Sequence, residues 1–347
     1  MNHIAREIVR HLCRPTIHRL DDHLFFAGFS CMKVVPALHI ISVAIERGII
    51  REFDNVYETS SGTMALGMAM ACRVFNLRCV IVSDPAIDEG LAARLRLLGA
   101  DLHIMLEPNQ KGGFQAARLQ RLDELRTADP GPAFWLRQYD NENNALSYGP
   151  VADYLASEIP NIAHLVACTG SGGSGSGLIR RLRERGHSVE FHAVDTPGSV
   201  LFGQADRPRL LRGLGNSLIP KNLEHRAVDR VHWVPAVYAF DAARRLYRDF
   251  CCDVGPTSGA AYLVGRYVAE CHKNEDVVVI GADSGERYRM NVLSESWLAC
   301  NGLLVDSSSA EPRDVLTPNE GGDEWAMLAW RRRSLEEVVS VAWQEAR

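Results

Sequence analysis

The stretch "ACTGSGGSGSGLIRRL" runs from Ala167 to Leu182, and its first eight residues after Thr169 are five glycines and three serines. An apolar run, "HLVAC", leads in, and an arginine-rich helical pattern, "GLIRRLRER", leads out. Bare backbone between a strand and a helix suits an anion. Glycines let N–H groups approach a ligand closely. The helix start adds unsatisfied donors and the positive end of its dipole. Two ligand classes fit. Gly170, Gly172 and Gly175 spell G-x-G-x-x-G, and Asp195 ends the next apolar run, "VEFHAVD", where an acid can hold a ribose. That is a dinucleotide fingerprint. Ser171 and Ser174 favour the rival, a compact phosphate monoester that accepts hydroxyl hydrogen bonds. A ligand-free Gly/Ser loop is the bland alternative.

Composition bounds the answer. The 347 residues make one large domain or two smaller ones. Hydrophobic content of 46% and charged content of 23% are those of an ordinary globular chain. A net charge of −5 gives no basic footprint for nucleic acid. No run of 18 apolar residues predicts a membrane span. The amphipathic start "MNHIAREIVRHLCRP" lacks the apolar core of a signal peptide. Nine cysteines without a C-x-x-C read as reduced thiols, so a cytoplasmic protein is expected. The twelve histidines are scattered, with no H-E-x-x-H, and no metal site is expected.

Strand and helix patterns alternate along the chain. "NVYETS" (55–60), "RCVIVSD" (78–84), "DLHIML" (101–106), "IAHLVAC" (162–168), "VEFHAVD" (189–195), "RVHWVPA" (230–236) and "DVVVIGAD" (276–283) read as strands. Helical patterns separate them, and one of these stops at Gly99. Such alternation predicts an α/β protein with mostly parallel sheets covered by helices. The irregular stretch "DPGPAFWLRQYDNENNALSYGP" (129–150) divides it into two α/β units with a cleft between. "DSSSAEPRDVLTPNEGGDE" (306–324) reads as loop. "EWAMLAWRRRSLEEVVSVAWQEA" (324–346) reads as one amphipathic helix.

The chain has four lysines. Lys111, Lys221 and Lys273 lie in polar turn contexts and read as surface residues. Lys33 lies in "FFAGFSCMKVVPALHIISVAIERG", among apolar and small residues. A lysine buried there needs a partner or neutralisation. Bonding to a cofactor aldehyde is one solution; a lysine snorkelling from a helix start is another.

Lys33 and the glycine loop together resemble a family: the fold-type II pyridoxal-phosphate enzymes of the cysteine synthase (O-acetylserine sulfhydrylase) and cystathionine β-synthase group. The resemblance covers about residues 14–297, in order. "KVVPALHIISVAIERG" resembles the segment that begins with the Schiff-base lysine, which places that role on Lys33. "ETSSGTMALGMAMA" is similar to the Ser/Thr-Ser-Gly-Asn-x-Gly loop that grips the amino-acid carboxylate, here Ser60, Ser61, Gly62 and Thr63. These hydroxyls also suit a helix N-cap cluster. "QYDNENNALSYGP" resembles the Gln-aromatic-x-Asn segment and puts Gln138 near that carboxylate. "GSGGSGSG" resembles the phosphate cup, implying Gly170, Ser171, Gly172, Gly173 and Ser174 as cofactor ligands. "RGLGNSLIPKNL" and "DSGERY" resemble further family segments. "GPTSGAA" places Ser258 at the pyridine nitrogen.

The resemblance implies the tryptophan synthase β-subunit-like fold. Its domains would be 1–36 plus 141–300 for the cofactor, a mobile substrate domain at 37–140, and a C-terminal extension at 301–347. It implies a homodimer acting on small molecules, an amino acid and a nucleophile. The activity implied is pyridoxal-phosphate-dependent β-replacement on an O-activated L-serine, through an aminoacrylate. A lyase or dehydratase of the same fold, an NAD-dependent oxidoreductase and a non-catalytic binding protein are the alternatives. The chain departs from the family pattern at several places. Thr63 replaces the asparagine that touches the cofactor ring, and Ala65 replaces the following glycine. Val34-Val35 replaces Asp-Arg, and "AGFSCM" replaces an Asn-Pro-x-Gly loop. These departures point to a specialised branch with a different leaving group, or a nucleophile larger than sulfide.

Overall fold

A computed structural model describes residues 3–110, 113–211, 213–305 and 309–339. The chain forms two compact units, residues 1–14 with 31–147 and residues 15–30 with 148–347.

The first unit opens with α1 (His3–Leu12) and α2 (Val34–Glu46). Strand–helix alternation follows: β3 (Asn55–Thr59), α3 (Thr63–Phe75), β4 (Arg78–Ser83), α4 (Glu89–Leu97), β5 (Asp101–Ile104) and α5 (Gly113–Ala128). The unit ends with β6 (Phe134–Trp135) and α6 (Asn143–Leu146), so the stretch expected to be irregular contributes an edge strand. The four strands pair in parallel in the order β5-β4-β3-β6. Val56 and Ile81, from β3 and β4, bury against Ile40, Ile41, Met68 and Leu95 from the helices. Gly99 follows α4 with φ +81°, where a side chain would strain the turn.

The second unit is an eight-stranded sheet. Its elements are β1 (Thr16–Arg19), β2 (Leu24–Gly28), α7 (Gly149–Glu158), β7 (Ile162–Cys168), α8 (Gly173–Glu184), β8 (Glu190–Asp195), β9 (Arg230–Trp233) and α9 (Ala236–Phe250), then α10 (Pro256–Cys271), β10 (Asp276–Gly281), α11 (Glu295–Cys300), β11 (Arg313–Asp314) and β12 (Ala326–Ala329). The strand order is β1-β2-β10-β7-β8-β9-β12-β11. All neighbours are parallel except β1 with β2 and β12 with β9. The central strands are apolar on both faces, as Val277, Val278 and Val279 show, because helices cover both sides.

One expectation is corrected. The C-terminal segment is not one helix from residue 324. Ala326–Ala329 pairs antiparallel with β9, and Trp325, Ala326, Leu328 and Trp330 are all buried. Arg331 and Arg332 then take positive φ values of 56° and 57°, which a helix cannot continue through. A helical turn begins only at 335, and residues 340–347 of the expected helix lie outside the described residues. Lys33 falls in the smaller unit, and Arg313–Asp314 and Ala326–Ala329 extend the larger sheet beyond β9. No helix among the described residues is long and apolar enough to cross a membrane.

Candidate active site

The residues expected to act fall in both units. In the first, Lys33 ends the turn from Cys31 and caps α2, which begins at Val34. Its side chain is half-buried. Burial lowers its amine from 10.5 to about 8, against a smaller opposing effect of the Cys31 thiol. About a tenth of such amines are neutral at pH 7. Lys221 and Lys273 are exposed, as expected, while Lys111 lies outside the described residues.

The loop expected to bind the substrate carboxylate joins β3 to α3. Gly62 is the N-cap of α3, and no side chain caps it. The expected hydroxyl cap does not form; instead the Ser60 hydroxyl accepts from the Gly62 N–H at 3.1 Å. The first N–H groups of α3, from Thr63 onward, therefore stand at a helix start that no side chain caps, a setting that suits an anion. Gln138 belongs to the same cluster. Its Nε2 donates to the Thr59 carbonyl at 3.4 Å. Buried Glu58 holds the two segments together: Oε1 accepts from Thr59 N–H at 2.7 Å and Oε2 from Gln138 N–H at 3.0 Å. Trp135 Nε1 donates to the same carboxylate at 3.2 Å. Burial raises Glu58 above its usual range, and these three donors oppose the rise. Sequence reading missed Glu58 because one acid in a strand carries no pattern of its own.

In the second unit, β7 ends at Cys168 and α8 begins at Gly173. The glycine-rich turn lies between. Gly172 has φ +80°, and a Cβ there would meet the Leu223 backbone at 2.6 Å. A Cβ at Gly170 would meet the Gly213 carbonyl at 2.8 Å. The segment from Gly213 to Leu223 thus packs on the turn, and only glycine permits both contacts. Asn216 Nδ2 donates to the Gly170 carbonyl at 3.4 Å, and Gly215 N–H donates to the Thr169 carbonyl at 2.9 Å. Arg212, which precedes that segment, lies outside the described residues. Buried Ser171 and Ser174 flank the glycines at the start of the twelve-residue helix α8.

Ser258, in the first turn of α10, is fully buried. Its Oγ accepts from Ala282 N–H at 2.9 Å, which leaves its own proton to donate. Cys168 Sγ donates to the Thr257 carbonyl at 2.9 Å, so this turn lies beside the end of β7. "DSGERY" packs here too: Gly255, the N-cap of α10, donates its N–H to the Asp283 carbonyl at 3.0 Å. Tyr288 Oη donates to Asp283 at 2.8 Å. A phosphate fits the cup, which has a glycine turn free of side-chain bulk, two buried hydroxyls and a helix N-terminus. A neutral hydroxyl at Ser258 fits an unprotonated ring nitrogen.

Asp195 does not fit a ribose. It is fully buried at the end of β8 and accepts from the Thr196 N–H at 2.8 Å. Gly215 covers it so closely that a Cβ there would lie 3.0 Å from Oδ1. Burial raises its carboxyl from 3.8 to about 7, against the pull of the Thr196 N–H, the Ser199 hydroxyl and Arg209. A raised acid holds its proton in the folded chain while the unfolded chain releases it. Stability therefore falls as pH rises from about 4 to about 7, by about 1.4 kcal/mol per unit. Asp195→Asn should remove this slope. We expect its Tm to exceed the parent's by about 5 °C at pH 8 and to match it near pH 4. Parallel melting curves at the two pH values check this.

The chain belongs to the family described as pyridoxal-phosphate dependent enzymes, whose model matches residues 23–283. The dinucleotide reading is thereby overturned, as the burial of Asp195 requires. Among curated proteins, the chain is 33% identical over 271 residues to an N-(2-amino-2-carboxyethyl)-L-glutamate synthase of Ralstonia nicotianae. That match covers 77% of this chain and 80% of the relative. A synthase of the same name from Cupriavidus metallidurans is 32% identical over 274 residues, with the same coverage. Solved structures show the fold. A cysteine synthase of Entamoeba histolytica superposes with a TM-score of 0.77 at 22% identity, covering 89% of this chain and 93% of that one. An O-ureido-L-serine synthase superposes at 0.73 with 23% identity, covering 84% and 98%.

Proposed function

We propose that this chain catalyses β-replacement between two amino acids. An L-serine activated at its hydroxyl exchanges the leaving group for the amino group of a second amino acid, L-glutamate being the first to test. One observation carries this reading: relatives about one-third identical, over four-fifths of their length, are named for a product that joins a 2-amino-2-carboxyethyl group to glutamate.

When bound, pyridoxal phosphate supplies an electron sink for the pair released at Cα. The chain supplies the rest. The glycine turn 170–173, with Ser171 and Ser174, would hold the phosphate through N–H and hydroxyl donors. Ser258 would donate a hydrogen bond to the ring nitrogen, keeping its own proton and so leaving that nitrogen neutral, which suits elimination better than transamination. Lys33 would carry the cofactor, and its Nζ would then take the α-proton. The loop of Ser60, Ser61 and Gly62, the Thr63 N–H group and Gln138 would bind the substrate carboxylate. That fixes Cα so that the β-leaving group departs with the C–O pair. The incoming amine forms the new C–N bond and loses a proton, and Lys33 returns a proton to Cα. Thr63 is shorter than the asparagine it replaces and stiff at χ1. It leaves room for a nucleophile larger than sulfide.

The test is a substrate panel. O-acetylserine, O-phosphoserine, serine and cysteine are each paired with glutamate, other amines, thiols and sulfide, and products are identified by mass. We expect an amino-acid amine to outpace sulfide by about tenfold or more, within the range that pocket contacts discriminate. A preparation that works best with O-acetylserine and sulfide, or that releases pyruvate and ammonia as its main products, would refute the proposal.

A further inference from the structure

Histidines spread widely in sequence meet in the second unit. His164, His192 and His232 lie on the adjacent parallel strands β7, β8 and β9. The register places His192 opposite Val166 and His232 opposite Val194, so the three rings step diagonally across one sheet face. His164 Nδ1 lies 3.2 Å from His192 Nε2, and His192 Nδ1 lies 3.2 Å from His232 Nε2. All three are buried, and His232 Nδ1 has no hydrogen-bond partner among the described residues. The outer end opens to solvent. There His164 Nε2 lies 2.6 Å from Glu275 Oε2, and His272 Nδ1 lies 3.4 Å from the same oxygen. The His164 and His272 rings are 4.3 Å apart, centre to centre.

We propose that His164, His272 and Glu275 form a binding site for a divalent transition-metal ion of the zinc class. Two imidazoles and a carboxylate are a zinc donor set, and three protein ligands leave a fourth position open. Bonds of about 2.0–2.2 Å set tetrahedral ligand atoms about 3.3 Å apart. The His272–Glu275 spacing already matches. The His164–Glu275 spacing must open slightly, which Glu275 can supply because its side chain is 52% exposed. His164 is held firmly, at 3% exposure. A metal on Nε2 requires its proton on Nδ1, where it donates to His192, and that proton order passes along the ladder to His232. The ladder is thus the outer shell that orients a metal-bound histidine.

A neighbouring arrangement of His164, His192 and Glu190 is the weaker candidate. Glu190 already pairs with Arg230, and it stands 3.8 Å from His192. Among the described residues, the ion-pair partners of Glu275 are the two histidines alone. The proposed site is separate from the cofactor cup. Glu275 immediately precedes β10 and His164 lies near the start of β7, whereas the cup follows the end of β7.

The probe is Co²⁺, titrated into chelator-treated holoenzyme and followed by its visible d–d absorption. We expect saturation at one ion per chain, no thiolate charge-transfer band, and displacement by Zn²⁺. His272→Ala and Glu275→Gln should each weaken binding by about tenfold or more, and together abolish it. Both positions are partly exposed, so metal-free melting curves should match the parent. Cys271→Ser should leave binding unchanged. Absence of saturable binding, binding that survives in the double variant, or a thiolate band lost in Cys271→Ser would each overturn the proposal.

Discussion

Lys33→Ala protein should emerge colourless from a purification that yields yellow parent enzyme, and its turnover should fall by about 10³-fold or more. Borohydride followed by peptide mapping should fix the cofactor to Lys33 in the parent and nowhere in the variant. Two features make Lys33 the candidate. It is held at the start of α2 by a turn from Cys31, and burial lowers its amine to about 8. Lys221 and Lys273 are exposed. The variant should fold, because it removes an amine that burial disfavours. The phosphate cup lies in the other unit, so phosphate-dependent retention of free cofactor should survive in part. Label on Lys111, Lys221 or Lys273, or a variant that keeps its colour and rate, would refute the assignment.

The sign of the lysine shift predicts more. A base lowered from 10.5 to about 8 is charged at lower pH only, so the neutral, proton-accepting fraction grows as pH rises toward 8. Where proton abstraction limits the rate, activity should climb through that range.

The glycine turn and the lysine were readable because each breaks a local rule. Eight glycines and serines in a row after a strand offer no apolar side chain to a core, and a lysine among apolar residues needs a reason. Parallel strands such as β4 and β10 were readable from their apolar runs. Other features depend on partners distant in sequence. Met327 and its neighbours look helical by composition, yet β9 offers them a sheet edge. Glu58 gains its meaning from Gln138, eighty residues on, through a shared carboxylate. His164, His192 and His232 are separated by 28 and 40 residues, and only the strand register brings them together. Asp195 matched a dinucleotide pattern by its place after a strand, while its burial was invisible in the sequence.

Gly67→Ala should cripple the enzyme while barely changing its melting temperature. Gly67 sits inside α3, against the turn that presents Lys33. A Cβ there would lie 2.5 Å from both the Lys33 carbonyl carbon and its oxygen, and 2.8 Å from the Val34 nitrogen. Backbone cannot rotate away as a side chain can, so α3 and the Lys33 turn must separate by several tenths of an ångström. Two stability effects then compete. Alanine gains about 1 kcal/mol over glycine inside a helix, and overpacking costs about 1–3 kcal/mol. They largely cancel, so the net loss should be about 1 kcal/mol. Function has no such offset. A displacement of about 1 Å at a reacting group can cost about 10²-fold in rate, and α3 also carries the carboxylate loop at its start. We therefore expect kcat to fall by about 10²-fold, with a shifted visible band reporting the moved lysine. Gly149→Ala is the control: it opens α7, and a Cβ there would meet nothing within 4 Å. It should leave both rate and colour unchanged. If Gly67→Ala keeps full activity, the contact between α3 and the lysine turn does not position Lys33.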